Sequence, residues 1–267
     1  LVTHRSGLPR HDFLWYGSDG SMKDFFSKLQ HLDFVCDLRE KFNYNNLMYG
    51  VAGIVVEKVT GKSWEDNVKQ LIFEPLGMDN SNLFVEESKN NDNFSMPYET
   101  KNEIVQEIPF RICNVGPAGS INSNIVDMAN WLKLQLSDGA FLDKKLIEKT
   151  TLKQMHTIQI ASGIAQYPED KSFALGYGLG WFIENYSGHY AVSHGGGIDG
   201  FISETALFPQ EKIGVVILSN STTGGGHLVH NIRKTIFDLL FGLEETDWVE
   251  KASTTLKEAE LAKKKAD

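Results

Sequence analysis

Two short stretches of this chain hold side chains that could carry a reaction: Tyr44-Asn45-Asn46 and His194-Gly195-Gly196-Gly197. A phenol can relay a proton to a leaving group while a nearby amide orients what is bound. A histidine at a strand end can add charge near neutral pH. The three glycines behind it let a ligand approach the backbone closely and leave N–H groups able to point at an anion. Plainer readings stand beside these. Tyr44 at a helix entrance is also what a packing residue with a satisfied hydroxyl looks like. Asn46 is most simply a helix N-cap, and His194 serves equally well as a polar residue closing a strand.

Other patterns carry less. Ala191-Val192-Ser193-His194-Gly195 imitates a nucleophile elbow with Ala in the first glycine position. An elbow needs a helix directly after the serine, inside a parallel sheet, whereas Gly195 to Gly200 and then an antiparallel strand are expected here. Gly61-Lys62-Ser63 has the ending of a phosphate-binding loop, but the preceding glycine, Gly53, lies eight residues before Gly61 where that loop requires five. It reads as a helix stop followed by a helix cap. His227 and His230 share one helix without a third ligand, and Cys36 and Cys113 make no metal-ligand spacing. No metal and no cofactor are expected.

The elements that must position these residues follow from pattern and punctuation. Ser21-Met22-Lys23-Asp24 resembles a capping box, with Met22, Phe25, Phe26, Leu29 and Leu32 following at helical spacing. A second helix is predicted from Asn46 to Val59 with Gly61 as its stop. A third, capped by Ser63, should run until Pro75 breaks it. Residues 79–112 read as a long surface excursion with short extended pieces. Further helices are predicted from Ser123 to Gly139 and from Lys144 to Met155, so residues 20–160 form a mainly helical region. Tyr177 to Glu184, Tyr190 to His194, Phe201 to Phe208 and Ile213 to Ser219 are runs of strand formers separated by turn signals. Connections this short permit hairpins but not parallel crossovers, so the sheet should be antiparallel. A closing helix, His227 to Phe241, places Leu228, Ile232, Ile236, Leu239 and Leu240 on one face. The class is α+β, with residues 175–242 as sheet and closing helix.

Composition narrows the function. The 267 residues are 41% apolar and 23% charged, enough to bury a sizeable core, and the formal net charge is −9. An acidic chain is poorly suited to a nucleic-acid backbone or an anionic membrane surface, so neither is expected as a partner. No apolar run is long enough for a membrane span.

Taken together, these pieces resemble the penicillin-binding-protein-like serine hydrolases, the class C β-lactamase-related family. The resemblance rests on six motifs in order: Thr3-His4-Arg5-Ser6-Gly7-Leu8-Pro9, Tyr44-Asn45-Asn46, Pro75-Leu76-Gly77-Met78, Pro117-Ala118-Gly119-Ser120, Tyr177-Gly178-Leu179-Gly180-Trp181 and His194-Gly195-Gly196. It implies a β-lactamase/transpeptidase-like fold over residues 1–242, an antiparallel sheet flanked by helices, with residues 243–267 as a helical linker or tail. It also implies cleavage of an amide, ester or β-lactam in a small-molecule or peptide substrate, through an acyl-serine, in a periplasmic or extracellular setting. By resemblance Tyr44 relays the proton, Asn46 orients lysine and substrate, and His194, Gly195 and Gly196 take the place of a Lys-Thr-Gly strand. Gly197 would offer an oxyanion N–H. Since an unperturbed histidine titrates near pH 6.5, the help His194 gives should fade as pH rises through neutrality.

The family's Ser-x-x-Lys motif is missing from this sequence. Thr150-Thr151-Leu152-Lys153 and Thr254-Thr255-Leu256-Lys257 have the spacing with threonine, but both follow Tyr44, whereas the family's nucleophile precedes the segment at Thr3. The expectation is therefore a fragment whose serine, lysine, first helix and early strands lie upstream of Leu1. As it stands it should not turn over, and it should leave a sheet edge beside Ile213–Ser219 and an apolar helix face uncovered. The alternative is a non-catalytic homologue that binds peptides or cell-wall fragments.

Overall fold

A computed structural model describes residues 1–101, 104–111, 114–162, 172–222, 227–251 and 253–254. In chain order they form α1 (Met22–Lys28), α2 (Asn46–Thr60), α3 (Trp64–Val68), α4 (Glu74–Leu76), α5 (Val85–Lys89), β1 (Tyr98–Lys101), β2 (Ile104–Glu107), α6 (Gly116–Gly119), α7 (Ile125–Leu136), β3 (Ala140–Phe141), β4 (Lys144–Lys145), α8 (Lys149–Met155), β5 (Ser172–Tyr177), β6 (Phe182–Tyr186), β7 (His189–Ile198), β8 (Phe201–Phe208), β9 (Ile213–Ser219) and α9 (His227–Phe241). The class is α+β. The five-stranded sheet has the order β5-β6-β7-β8-β9, each strand bonded to the one before it in the chain. The chain divides into two compact units. One comprises Leu1–Phe94, Phe110–His194 and Thr205–Val216, the other Ser95–Pro109, Gly195–Glu204 and Ile217–Asp267.

In the first unit the helices begin where their caps dictate. Ser21 and Asp24 complete a reciprocal capping box on α1. Asn124, rather than Ser123, caps α7 by accepting from the Val126 and Asp127 amides. Pro75 does not break the third helix as expected. A π-helical stretch, Lys69–Phe73, links α3 to α4, and the Glu74 amide bonds back to the Lys69 carbonyl. The wider turn relieves the clash that a proline ring makes with the preceding turn, and the helix runs on to Gly77. The helix expected from Lys144 starts at Lys149, because β3 and β4 pair as a small hairpin ahead of it.

Three apolar clusters hold this unit together. One joins Leu8, Trp15, Phe25, Leu47, Met48 and Val115; a second joins Val68, Phe73, Leu76, Met78, Leu83 and Leu134. The third packs Leu132 of α7 against Trp181 of the β5–β6 turn and Ile183, Val192 and Leu207 of the sheet. The run expected as one strand from Tyr177 to Glu184 is a hairpin. Tyr177 closes β5, Gly178 to Trp181 turn the chain, and Phe182 opens β6 paired with Tyr177. Along β6 and β7, Phe182 stands opposite Ser193.

The second unit holds the hairpin β1/β2, which lies within the 79–112 stretch expected as a surface excursion and pairs Tyr98 with Glu107. The Tyr98 amide donates to the Asn220 carbonyl, 2.9 Å, tying the hairpin to the end of β9. The apolar stripe of α9 faces the opposite way from what a packing stripe would suggest. Leu228, Ile232, Leu239 and Leu240 are exposed, while Val229, Arg233, Lys234, Phe237 and Asp238 are buried. Arg233 is ion-paired to Glu204 at 2.8 Å. Trp248, beyond the helix, is buried too, its indole N–H donating to Asp238 Oδ2 at 2.8 Å under the Lys234 ammonium.

Candidate active site

The segment Leu1–Pro9 is built to hold Tyr44 and the start of α2. Gly7 has φ +83°, and a Cβ there would lie 2.4 Å from the Cys36 carbonyl oxygen, so only glycine lets the two chains meet. Val35 and Arg39 amides bond to the carbonyls of Gly7 and Arg5, and the Asn43 amide to that of His4. His4, fully buried, accepts the Asn45 amide on Nδ1 at 3.0 Å. Asn45 returns the contact by donating to the Pro9 carbonyl at 2.6 Å, and its Oδ1 caps α2 through the Met48 amide. The expected N-cap role of Asn46 thus belongs to Asn45, which keeps the extended conformation a cap requires while Asn46 is the first helical residue.

Around His4 the aromatic rings gather. Tyr44 stacks on it with centroids 4.1 Å apart, and Tyr177 and Tyr49 lie at 4.9 and 5.1 Å. The His194 ring stands 6.2 Å from Tyr44, 6.1 Å from Tyr177 and 5.6 Å from Phe182. The Tyr49 hydroxyl donates to the Val2 carbonyl and meets the Tyr177 hydroxyl at 3.4 Å. Among the described residues no hydrogen bond reaches the Tyr44 hydroxyl, while its ring lies against His4 and under the Arg10 guanidinium.

Asn46 is held from the other side. Its Nδ2 donates to Asp12 Oδ1 at 3.1 Å, the same oxygen that accepts the indole N–H of buried Trp15 at 3.1 Å. The Arg10 guanidinium bonds to Asp12 Oδ2 and lies 5.1 Å over the Tyr44 ring.

These surroundings set the charge states. Burial pushes His4 down to about 4, and neighbouring His194 adds to the shift, so His4 is neutral at ordinary pH. Burial raises the Tyr44 phenol above its usual value; the Arg10 cation opposes this and the Asp12 carboxylate reinforces it. Tyr49 is pushed up to about 12, and Tyr177 is raised as well, both mainly by burial. A phenol that keeps its proton is a donor, and Tyr44 would need a second cation to act as a base.

Of the residues the sequence singled out, Tyr44 and His194 come together, and Asn46 sits two residues on, tied to Asp12. Gly195, Gly196 and Gly197 continue β7 in the second unit and are exposed. Ser193 is buried within β7, and the strand runs on to Ile198 without a helix, so no nucleophile elbow forms there. Sequence reasoning named the motif containing His4 but not its part beneath Tyr44. It missed Arg10 and Asp12 altogether, since nothing in their spacing announces a partner 34 residues away. His230 is half-buried, and the side chain of His227 and all of Cys113 lie outside the described residues. Among the described residues no three His, Cys, Asp or Glu side chains gather as a metal site would require, and no helix is long and apolar enough to cross a membrane.

Comparison with known proteins assigns this architecture to the β-lactamase/transpeptidase-like fold. The chain belongs to the beta-lactamase family, whose model matches residues 1–259. It is 30% identical over 230 residues to the unguisins hydrolase ungD' of Aspergillus campestris, covering 83% of this chain and 42% of that protein. It is 28% identical to the unguisins hydrolase ungD of Aspergillus violaceofuscus, covering 94% and 48%. Among solved structures, the octameric penicillin-binding protein homologue from Pyrococcus abyssi superposes with a TM-score of 0.77 at 28% identity, over 91% of this chain and 55% of that one. The chain thus spans less than half the length of these two fungal relatives.

Proposed function

We propose that the whole protein is a serine hydrolase that cleaves an amide or ester through an acyl-serine, the serine and its lysine lying on a segment outside this chain. The serine oxygen attacks the carbonyl carbon and its proton passes to the base. The resulting oxyanion is stabilised by backbone N–H groups. As the carbon–leaving-group bond breaks, the Tyr44 hydroxyl delivers a proton to the departing nitrogen or oxygen and takes up the serine's proton from the base, so both return to their starting states. Water then attacks the acyl carbon, gives up a proton by the reverse relay, and releases the acid and the free serine. His194 supplies hydrogen bonding and, when protonated, positive charge to the bound substrate. The observation that carries this reading is Tyr44: its ring lies 4.1 Å from that of His4, 6.2 Å from that of His194 and under the Arg10 guanidinium, and no hydrogen bond reaches its hydroxyl among the described residues. Likeness to hydrolases of the same family agrees with it.

The test is intact-mass analysis of the full-length protein after exposure to a p-nitrophenyl ester, a D-amino-acid p-nitroanilide and a penicillin. An acyl adduct on a serine upstream of Leu1 is expected, formed roughly 10²-fold or more slowly in Tyr44→Phe. Binding of peptides or cell-wall fragments with no adduct from any of the three would favour a non-catalytic homologue. An adduct on Ser193 would overturn the assignment.

A further inference from the structure

We propose that Asp12 is a positioning residue: its carboxylate fixes the side-chain amide of Asn46 so that the Asn46 oxygen is presented to the bound substrate. The proposal rests on the role given to Asn46 above and adds to it the group that sets the orientation. An asparagine amide has a donor end and an acceptor end of almost equal size, and only its hydrogen bonds decide which end faces which way. An ionised carboxylate can only accept. With Nδ2 of Asn46 on Asp12 Oδ1 at 3.1 Å, a flip would set two acceptors against each other, so Oδ1 is held on the far side of the amide. There it can accept from an ammonium or from a substrate N–H, and it cannot offer a donor instead.

Asp12 is itself fixed from three directions. The indole of Trp15, part of the Leu8–Phe25–Met48 core, donates to its Oδ1. Arg10 bonds to its Oδ2, and its backbone carbonyl accepts from the Trp15 and Tyr16 amides. His11, between Arg10 and Asp12, has φ +50°, in the left-handed region that few non-glycine residues adopt. The same carboxylate therefore holds Asn46 by one oxygen and, by the other, the guanidinium lying over Tyr44. A residue that merely capped its own short turn, Asp12–Leu14, would have no need of a bond 34 positions along the chain.

The test is a double-mutant cycle in the full-length protein, with Asp12→Asn, Asn46→Ala and the pair. Asp12→Asn keeps the size but turns one of the two acceptor oxygens into an NH2 group: one orientation sets that group against Asn46 Nδ2 and the Trp15 indole, the other against Arg10, so the simultaneous hold on all three is lost. Acylation is followed by intact mass and unfolding by thermal melts. The expected result is a loss of about 10- to 100-fold in acylation rate from Asp12→Asn, of the size a misplaced orienting group causes. No further loss should appear when Asn46 is already alanine. Full activity in Asp12→Asn, or equal loss in both backgrounds, would overturn the proposal while leaving the hydrolase reading intact. If the unsubstituted protein acylates with nothing, the hydrolase reading fails, and a second readout still decides. The Asn46 side-chain amide resonance, identified by its disappearance in Asn46→Ala, should be shifted and slowly exchanging, and should lose both features in Asp12→Asn. An amide exchanging at the rate of free asparagine in the unsubstituted protein would sink the positioning role.

Discussion

Acidification should loosen the first unit through His156. This ring is 8% exposed, donates from Nε2 to Gln135 Oε1 at 2.9 Å, and stands edge-on to Trp181 with centroids 5.7 Å apart. The Tyr190 hydroxyl occupies its backbone carbonyl at 2.5 Å. Burial lowers the imidazole from 6.5 to about 4, because the charged form would lose its hydration without gaining a counter-ion. The unfolded chain takes up its proton near pH 6.5 while the folded chain resists until about 4. The stability held by the neutral ring is therefore complete above pH 6.5, is lost progressively as pH falls, and changes no further below 4. A gap of about 2.5 units at about 1.36 kcal/mol each gives ~3 kcal/mol, a large share of the roughly 5–15 kcal/mol that holds a domain together. Urea unfolding followed by tryptophan fluorescence, in steps from pH 8 to pH 4, measures it. His156→Gln, which cannot titrate, should lose about 3 kcal/mol less across that range. His4 is fully buried and shifted the same way, so part of the decline should persist in the variant. Parallel curves for the two proteins would show that the His156 environment does not exclude its proton.

Asn45→Ala removes the cap of α2 and the bond to the Pro9 carbonyl together; a loss of about 2 kcal/mol is expected in chemical denaturation, and a neutral result would show that residues 1–9 are not anchored through this side chain. Gly53→Ala should lower the melting point although alanine favours helix by about 1 kcal/mol, because the new Cβ would lie 2.3 Å from Pro117 Cγ and overpacking costs about 1–3 kcal/mol. A raised melting point would mean that α2 and α6 have room to part.

Much of the frame was legible because its signals are local. Phe201–Phe208 and Ile213–Ser219 are strands with the expected bounds, and the Ser21 box and the Gly61 stop lie where their chemistry requires. What depended on remote partners was not. Periodicity placed Leu228, Ile232, Leu239 and Leu240 on one face of α9 but could not say which way that face turns. Arg233, Lys234 and Asp238 are buried because Glu204 and Trp248 supply partners that no local pattern reveals. The site divides likewise. Tyr44, Asn46 and His194 were visible as motif residues, whereas Asp12 became meaningful only when the fold carried it to Asn46.

The pairing of Tyr49 with Tyr177 also bears on how the chain is made. The two hydroxyls are separated by 128 residues of sequence. At a synthesis rate of about 5–20 residues per second, Tyr49 emerges on the order of 6–25 s before its partner exists. During that interval His4, which ends fully buried, has only Phe42, Tyr44 and Tyr49 from among its final ring neighbours. The strand that ends in Tyr177 leaves the ribosome well after the segment that carries His4, so the assembly around His4 waits on it. Until then a nascent chain offers a cluster of unsheltered rings to chaperones and to its neighbours on the same message.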